Sequence, residues 1–138
     1  MSFREKSAWI ALVSVLVSFG AYFGAIALGV ITGRGLSAIH MLLASVVAFV
    51  MLQGGLGLVA ARMNPEESRT PRDERERSIQ ARSHTLGYYV LVVLVLGLAV
   101  PVHLGHPSPD LMNFALLDVV IAGLVVSVAQ IVMYRRGA

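Results

Sequence analysis

Asp118 is the one acid that falls well inside a long apolar run of this chain, and Tyr22, His40 and His103 are polar residues embedded in comparable runs. A carboxyl group in such a setting can hold helices in register by hydrogen bonding, carry a proton or cation, or share a metal with nearby imidazoles. At 1.5 Å per helical residue, Asp118 lies about 26 Å from Arg135 and Tyr22 about 24 Å from Lys6. His40 lies about 33 Å from Arg62 and His103 about 32 Å from Arg82 by the same measure. These depths predict an outward-facing polar pocket in which Asp118 pairs with Tyr22 or His40. His40, His103, His106 and Asp110 are the available metal ligands, but no HxxxH or HExxH spacing joins them, and no metal site is assigned. The competing reading makes Asp118 a hydrogen-bonded register pin, with the histidines at the headgroup boundary.

Other chemistry is poorly represented. No cysteine is present, so disulfides, thiolate metal sites and cysteine-pair redox chemistry are excluded. Ser14 and Ser18 have no nearby His or Lys in sequence, no glycine-rich phosphate loop occurs, and no histidines are paired for haem. Gln53 and Gln130 read as interhelical hydrogen-bonding groups. The expectation is a non-enzymatic protein with no cofactor.

The elements that must position these residues are four apolar runs, at 7–31, 36–61, 86–104 and 111–134. Each is close to or above the roughly 20 residues that cross a bilayer as helix. Hydrophobic residues make up 57% and charged residues 14% of the 138, with a mean hydropathy of +0.76, so lipid is the expected solvent. The net charge of +3 and pI near 9.8 do not point to nucleic acid, because the basic residues flank the runs. Arg4 and Lys6, the arginines from Arg62 to Arg82, and Arg135 and Arg136 account for ten of the eleven; only Arg34 lies on the other side. The positive-inside rule then puts both termini and the central connection in the cytoplasm. Trp9, Tyr88, Tyr89 and Tyr134 fall near the same ends, where amphipathic rings favour the headgroup layer. The first run has a basic start, but its roughly 25 residues exceed the 7–15 of a signal-peptide core, which predicts an uncleaved signal anchor.

The fold expected is therefore all-α: one domain over 1–138, an integral membrane four-helix bundle with both termini inside. Its helices are expected at about 7–31, 36–61, 71–104 and 111–134. Small residues favour close approach of membrane helices. They line Ser14, Ser18, Ala21, Ala25 and Gly29 on the first helix, with Gly20 and Gly24 as a GxxxG pair beside them. Comparable faces are His40, Ala44, Ala48, Met51 and Gly55 on the second helix, and Ala115, Asp118, Ala122, Val125 and Ala129 on the fourth. The third is a Val/Leu run over 90–100, relieved by Gly97 and Ala99, and is expected to face lipid.

Between the second and third runs lies the one sizeable polar stretch. Asn64-Pro65 ends a helix. Thr70 as N-cap with Pro71 at the first helical position predicts a new helix running unbroken over 71–104, after a cytoplasmic loop at 63–70. Its first part would project from the bilayer and present Asp73, Glu74, Arg75, Glu76, Arg77, Ile79 and Arg82 to a cytoplasmic or membrane protein, or to a second copy of the chain. Interaction with membrane lipid is expected as well, and none with nucleic acid.

This stretch, DERERSIQARSHTLGYYVL at 73–91, resembles the signature of an uncharacterised prokaryotic family of small multi-span membrane proteins, D-E-R-[ED]-x-x-I-x-x-[AKR]-[AS]-x-x-x-[GA]-Y-Y. Asp73, Glu74, Arg75, Glu76, Ile79, Ser83, Gly87, Tyr88 and Tyr89 match it, and Arg82 fits a variable position. The opening FREKSAWI is similar to the start of bacterial members. The resemblance implies a prokaryotic inner-membrane protein and brings no catalytic residue with it. Two functional expectations follow: an interaction or regulatory module presenting its charged helix, or, alternatively, a small transporter or channel for an ion or solute using the pocket around Asp118.

Overall fold

The structure, a computed structural model, describes residues 2–136. Among these, the chain is all-α with no strand, with α1 Phe3–Ala27, α2 Gly35–Met63, α3 Pro65–Arg69, α4 Glu74–Gly97, α5 Ala99–His103 and α6 Ser108–Arg136. Four helical stretches are long and apolar enough to cross a membrane: α1, α2, the α4–α5 pair and α6.

Local chemistry sets the ends of these helices. Ser2 caps α1, its hydroxyl accepting from the Glu5 amide at 3.2 Å. The two turns at the far end, away from the chain termini, share one device. Gly29, at φ 71°, follows α1, with Val30 N–H donating to the Ala25 carbonyl and Gly29 N–H to that of Ile26. Gly105, at φ 78°, follows α5, with His106 N–H donating to Pro101 and Gly105 N–H to Val102. In both, glycine takes the left-handed position that closes the last turn.

The polar connection departs from the expected loop and helix start. Residues 65–69 form the short helix α3, with Pro65 in its first turn beside Glu66 and Glu67. Thr70 closes that helix instead of capping the next: its hydroxyl donates to the Glu66 carbonyl at 2.7 Å. Helix α4 therefore begins at Glu74 and not at 71, with Asp73 as N-cap accepting from the Glu76 amide. Asp73 and Glu76 have the spacing of a capping box, and Asp73 serves as the cap with Thr70 engaged upstream. The expected unbroken helix is also interrupted at Leu98, between α4 and α5. Pro101 supplies no N–H to the Gly97 carbonyl four residues earlier, and its ring crowds that carbonyl.

The long helices form an open row, α2–α1–α6–α4, with interfaces between neighbours and none of comparable extent between α2 and α4 to close a ring. Helix α6 is the most buried and α4 the least. Ser14, Ser18 and Tyr22 of α1 are buried, as are Asp118, Ala122 and Ala129 of α6. The face of α2 expected to make contacts points away instead: His40, Ala44, Ala48, Met51 and Gly55 are all exposed, while Ala38, Ser45 and Ala60 are buried. Gly20 and Gly24 have no neighbouring atom within 4 Å of a built Cβ, so this GxxxG makes no close crossing within the chain.

Gly87 does. A Cβ there would collide with the Cγ2 methyl of Val126 and lie 3.4 Å from the Ala122 carbonyl. Nearby, Gln130 Nε2 donates to Ser83 Oγ at 3.1 Å, and that hydroxyl donates to the Gln80 carbonyl at 2.9 Å. Because a β-branched valine has little rotamer freedom on a helix, Gly87→Ala is expected to lower stability by about 1–3 kcal/mol through overpacking. Gly97→Ala, with nothing within 4 Å, should leave stability unchanged or higher. Thermal unfolding of both variants in the same detergent checks the pair, and equal effects would contradict the packing.

Candidate functional site

Three polar regions emerge, and they lie apart. At the end carrying the chain termini, the start of α1 is fastened to the connection between α2 and α4. Phe3 N–H donates to Glu67 Oε2 at 2.7 Å, Lys6 Nζ to Asn64 Oδ1 at 3.1 Å, and an Arg4 guanidinium nitrogen to the Thr70 carbonyl at 3.1 Å. Arg4 Nε also faces Glu76 Oε2 at 3.5 Å. Arg135, near the end of α6, pairs with Glu5 at 3.1 Å and sets its guanidinium 5.5 Å from the Trp9 ring centre. Termini and connection thus form one polar platform.

The residues expected to present a partner surface are divided by this arrangement. Asp73 caps α4 and Glu76 meets Arg4, so both serve the fold. Ile79 is 2% exposed and belongs to the core, because it shares the α4 face of the buried Ser83 and Gly87. Glu74, Arg75, Arg77 and Arg82 are exposed. Sequence reasoning gave Asn64 and Thr70 helix-end roles only and passed over Glu67; their contacts with α1 depend on where its first residues arrive.

At the far end, Tyr22 donates its hydroxyl to Asn113 Oδ1 at 2.8 Å, and Asn113 Nδ2 donates to the Gly33 carbonyl at 2.8 Å. This single amide joins α1, α6 and the α1–α2 turn. Arg34 grips Asp110 with contacts of 3.0–3.2 Å, and His106 Nδ1 lies 4.0 Å from the same carboxylate. A cavity of about 430 Å³ opens beside this cluster, lined by Tyr22, Asn113, Arg34, Ala38 and Leu42 among others.

Asp118 lies elsewhere. It lines a separate groove beside α4 and α5 with Leu94, Gly97, Leu98, Pro101 and Phe114, and its Oδ2 is buried without a hydrogen-bond partner. The expected pairing with Tyr22 does not form, since that hydroxyl's one proton goes to Asn113. Asn113 and Asp118 are five residues apart on α6, about 140° around the helix axis, so they address different neighbours. His40 is exposed on the outer face of α2, and the exposed His103 turns its Nδ1 to the Ala99 carbonyl of its own helix at 2.7 Å. Neither lines the two cavities. No group of three or more His, Asp or Glu able to hold a metal gathers among the described residues.

Asn113 was not legible as a site residue, yet it makes two long-range hydrogen bonds, one to Tyr22 of α1 and one to Gly33 of the α1–α2 turn. Tyr22→Phe is expected to cost about 1 kcal/mol, and Asn113→Ala more, because the Gly33 turn is released too. In a double-mutant cycle the pair should be non-additive; additive losses in thermal unfolding would show that the bond does not contribute. No protein-family model, curated protein or solved structure matches this chain.

Proposed function

We propose that this chain is a multi-pass protein of a prokaryotic inner membrane, with both termini and the polar platform in the cytoplasm, that acts without catalysis as an interaction module. The charge distribution supports that orientation: ten of eleven Lys and Arg flank the platform end. The resemblance of the 73–91 segment to a prokaryotic membrane family is in keeping with the location. The observation that carries the functional reading is the fastening of α1, α3 and the start of α4 through Glu67, Asn64, Thr70 and Glu76. It ties the first turn of α4 to α1 through Glu76 while Glu74, Arg77 and Arg82 stay exposed. A surface already ordered loses less entropy on docking, so it suits a cytoplasmic or membrane protein, or a second copy.

Orientation is tested by single cysteines in this cysteine-free chain. Ser108→Cys should react with an impermeant thiol reagent in intact cells and Ser68→Cys only after permeabilisation; the reverse pattern would invert the topology. For the docking surface, a photo-crosslinking residue at position 77 should give a discrete protein adduct in cells. Adding Arg82→Glu should diminish that adduct at equal expression. Absence of any adduct, or indifference to charge reversal, would refute the interaction reading.

One observation favours the alternative of a small transporter or channel, namely the buried Asp118 Oδ2 without a partner beside a groove. Charged side chains at such depth commonly mark solute pathways. Uptake of a solute into proteoliposomes is the corresponding measurement.

A further inference from the structure

Asp118 is 8% exposed, its Oδ2 has no hydrogen-bond partner, and it borders a groove of about 550 Å³. The volume is within the range of small-molecule sites. Its walls are apolar, from Leu94, Leu98, Pro101 and Phe114. Gly97 also lines the groove, and Pro101, four residues on, has no N–H to donate to the Gly97 carbonyl, which makes that carbonyl the nearest candidate for a second acceptor. Carboxylate and carbonyl are both acceptors, and the side chains around them bring no competing donor.

A complementary ligand therefore carries positive charge, hydrogen-bond donors and an apolar body. A bare divalent ion fits poorly, because calcium and magnesium take six or more oxygens. We propose that this groove binds a hydrophobic ammonium ion, its nitrogen between Asp118 and the Gly97 carbonyl and its hydrocarbon or aromatic body against Leu94, Leu98 and Phe114. Pairing removes the penalty of an isolated charge in apolar surroundings, and burial of the body adds to it. Pro101 is then part of the site, since any residue with an N–H at that position in a helix would occupy the Gly97 carbonyl. This deepens the transport reading by naming a ligand class, yet it requires occupancy and not flux.

The test uses the full chain in lipid nanodiscs, with 1-naphthylmethylamine as probe and the neutral 1-naphthalenemethanol as control, each corrected for empty nanodiscs. The amine should bind saturably and at least tenfold more tightly than the alcohol. Asp118→Asn should reduce amine affinity by at least tenfold and leave the alcohol unchanged. Gly97→Leu adds bulk where no atom lies within 4 Å of a Cβ, and should abolish amine binding with Asp118 intact. Equal affinity for amine and alcohol, or wild-type amine affinity in Asp118→Asn or Gly97→Leu, would overturn the site. Should Asp118→Asn fail to fold by thermal unfolding, Gly97→Leu and the two-probe comparison decide. Amine-specific binding without amine flux into proteoliposomes would remove the transport reading and leave the site standing; flux of another solute without amine-specific binding would do the opposite.

Discussion

Close approach of α6 to both of its neighbours is the interaction on which the other features depend. Lipid tails are as apolar as leucine, so these helices gain little from leaving lipid for one another and associate through contact and hydrogen bonding. Helix α6 meets that requirement with Ala122, Ser127 and Ala129, all buried. On one side Gly87 lets α4 come against Ala122 and Val126; on the other, α1 buries Ser14, Ser18 and Tyr22. Among the described residues α2 packs chiefly on α1 and α4 chiefly on α6, with the Arg4–Glu76 pair a further tie between α1 and α4, which is why the arrangement is a row with two open flanks.

The two ends of that row are secured by different chemistry. At the end with the termini, charged and amide side chains tie α1 to the α2–α4 connection, and Arg135 ties α6 to α1 through Glu5. Several of these groups are partly exposed, so each pair contributes modestly, and the value of the set lies in fixing three chain segments relative to one another. At the far end, compact glycine turns limit the chain's freedom and one asparagine joins α1, α6 and the intervening turn. An amide carries both an acceptor oxygen and a donor nitrogen, so Asn113 accepts from Tyr22 and donates to the Gly33 carbonyl at the same time.

Polar groups left without partners are concentrated within the helices: Ser14, Ser18 and Gln53 each contain a buried oxygen with no hydrogen bond, as does Asp118. Among these Asp118 stands apart, because it alone can carry charge and it borders the groove at the interrupted α4–α5 stretch. The proline that breaks α4 and the acid that faces the break come from sequence positions seventeen apart and are brought together by the antiparallel course of α4 and α6.

Hydrophobic run length and charge placement were enough to identify four apolar helices, since both are properties of contiguous residues and need no knowledge of neighbours. Helix ends were legible where the capping group is local, as with Asn64-Pro65, and were misread where it is shared: Thr70 was a plausible cap for 71 onward until α3 claimed its hydroxyl. Which face of a helix is buried depends on the partner's position around the axis, so the small-residue stripe on α2 looked like a contact and proved exposed, while that on α6 became an interface. The polar pocket failed to assemble as one unit for the same reason. Depth along a helix follows from residue count at a fixed rise, but azimuth follows from packing, and it is azimuth that sends Tyr22 to Asn113 and leaves Asp118 beside Gly97 and Pro101.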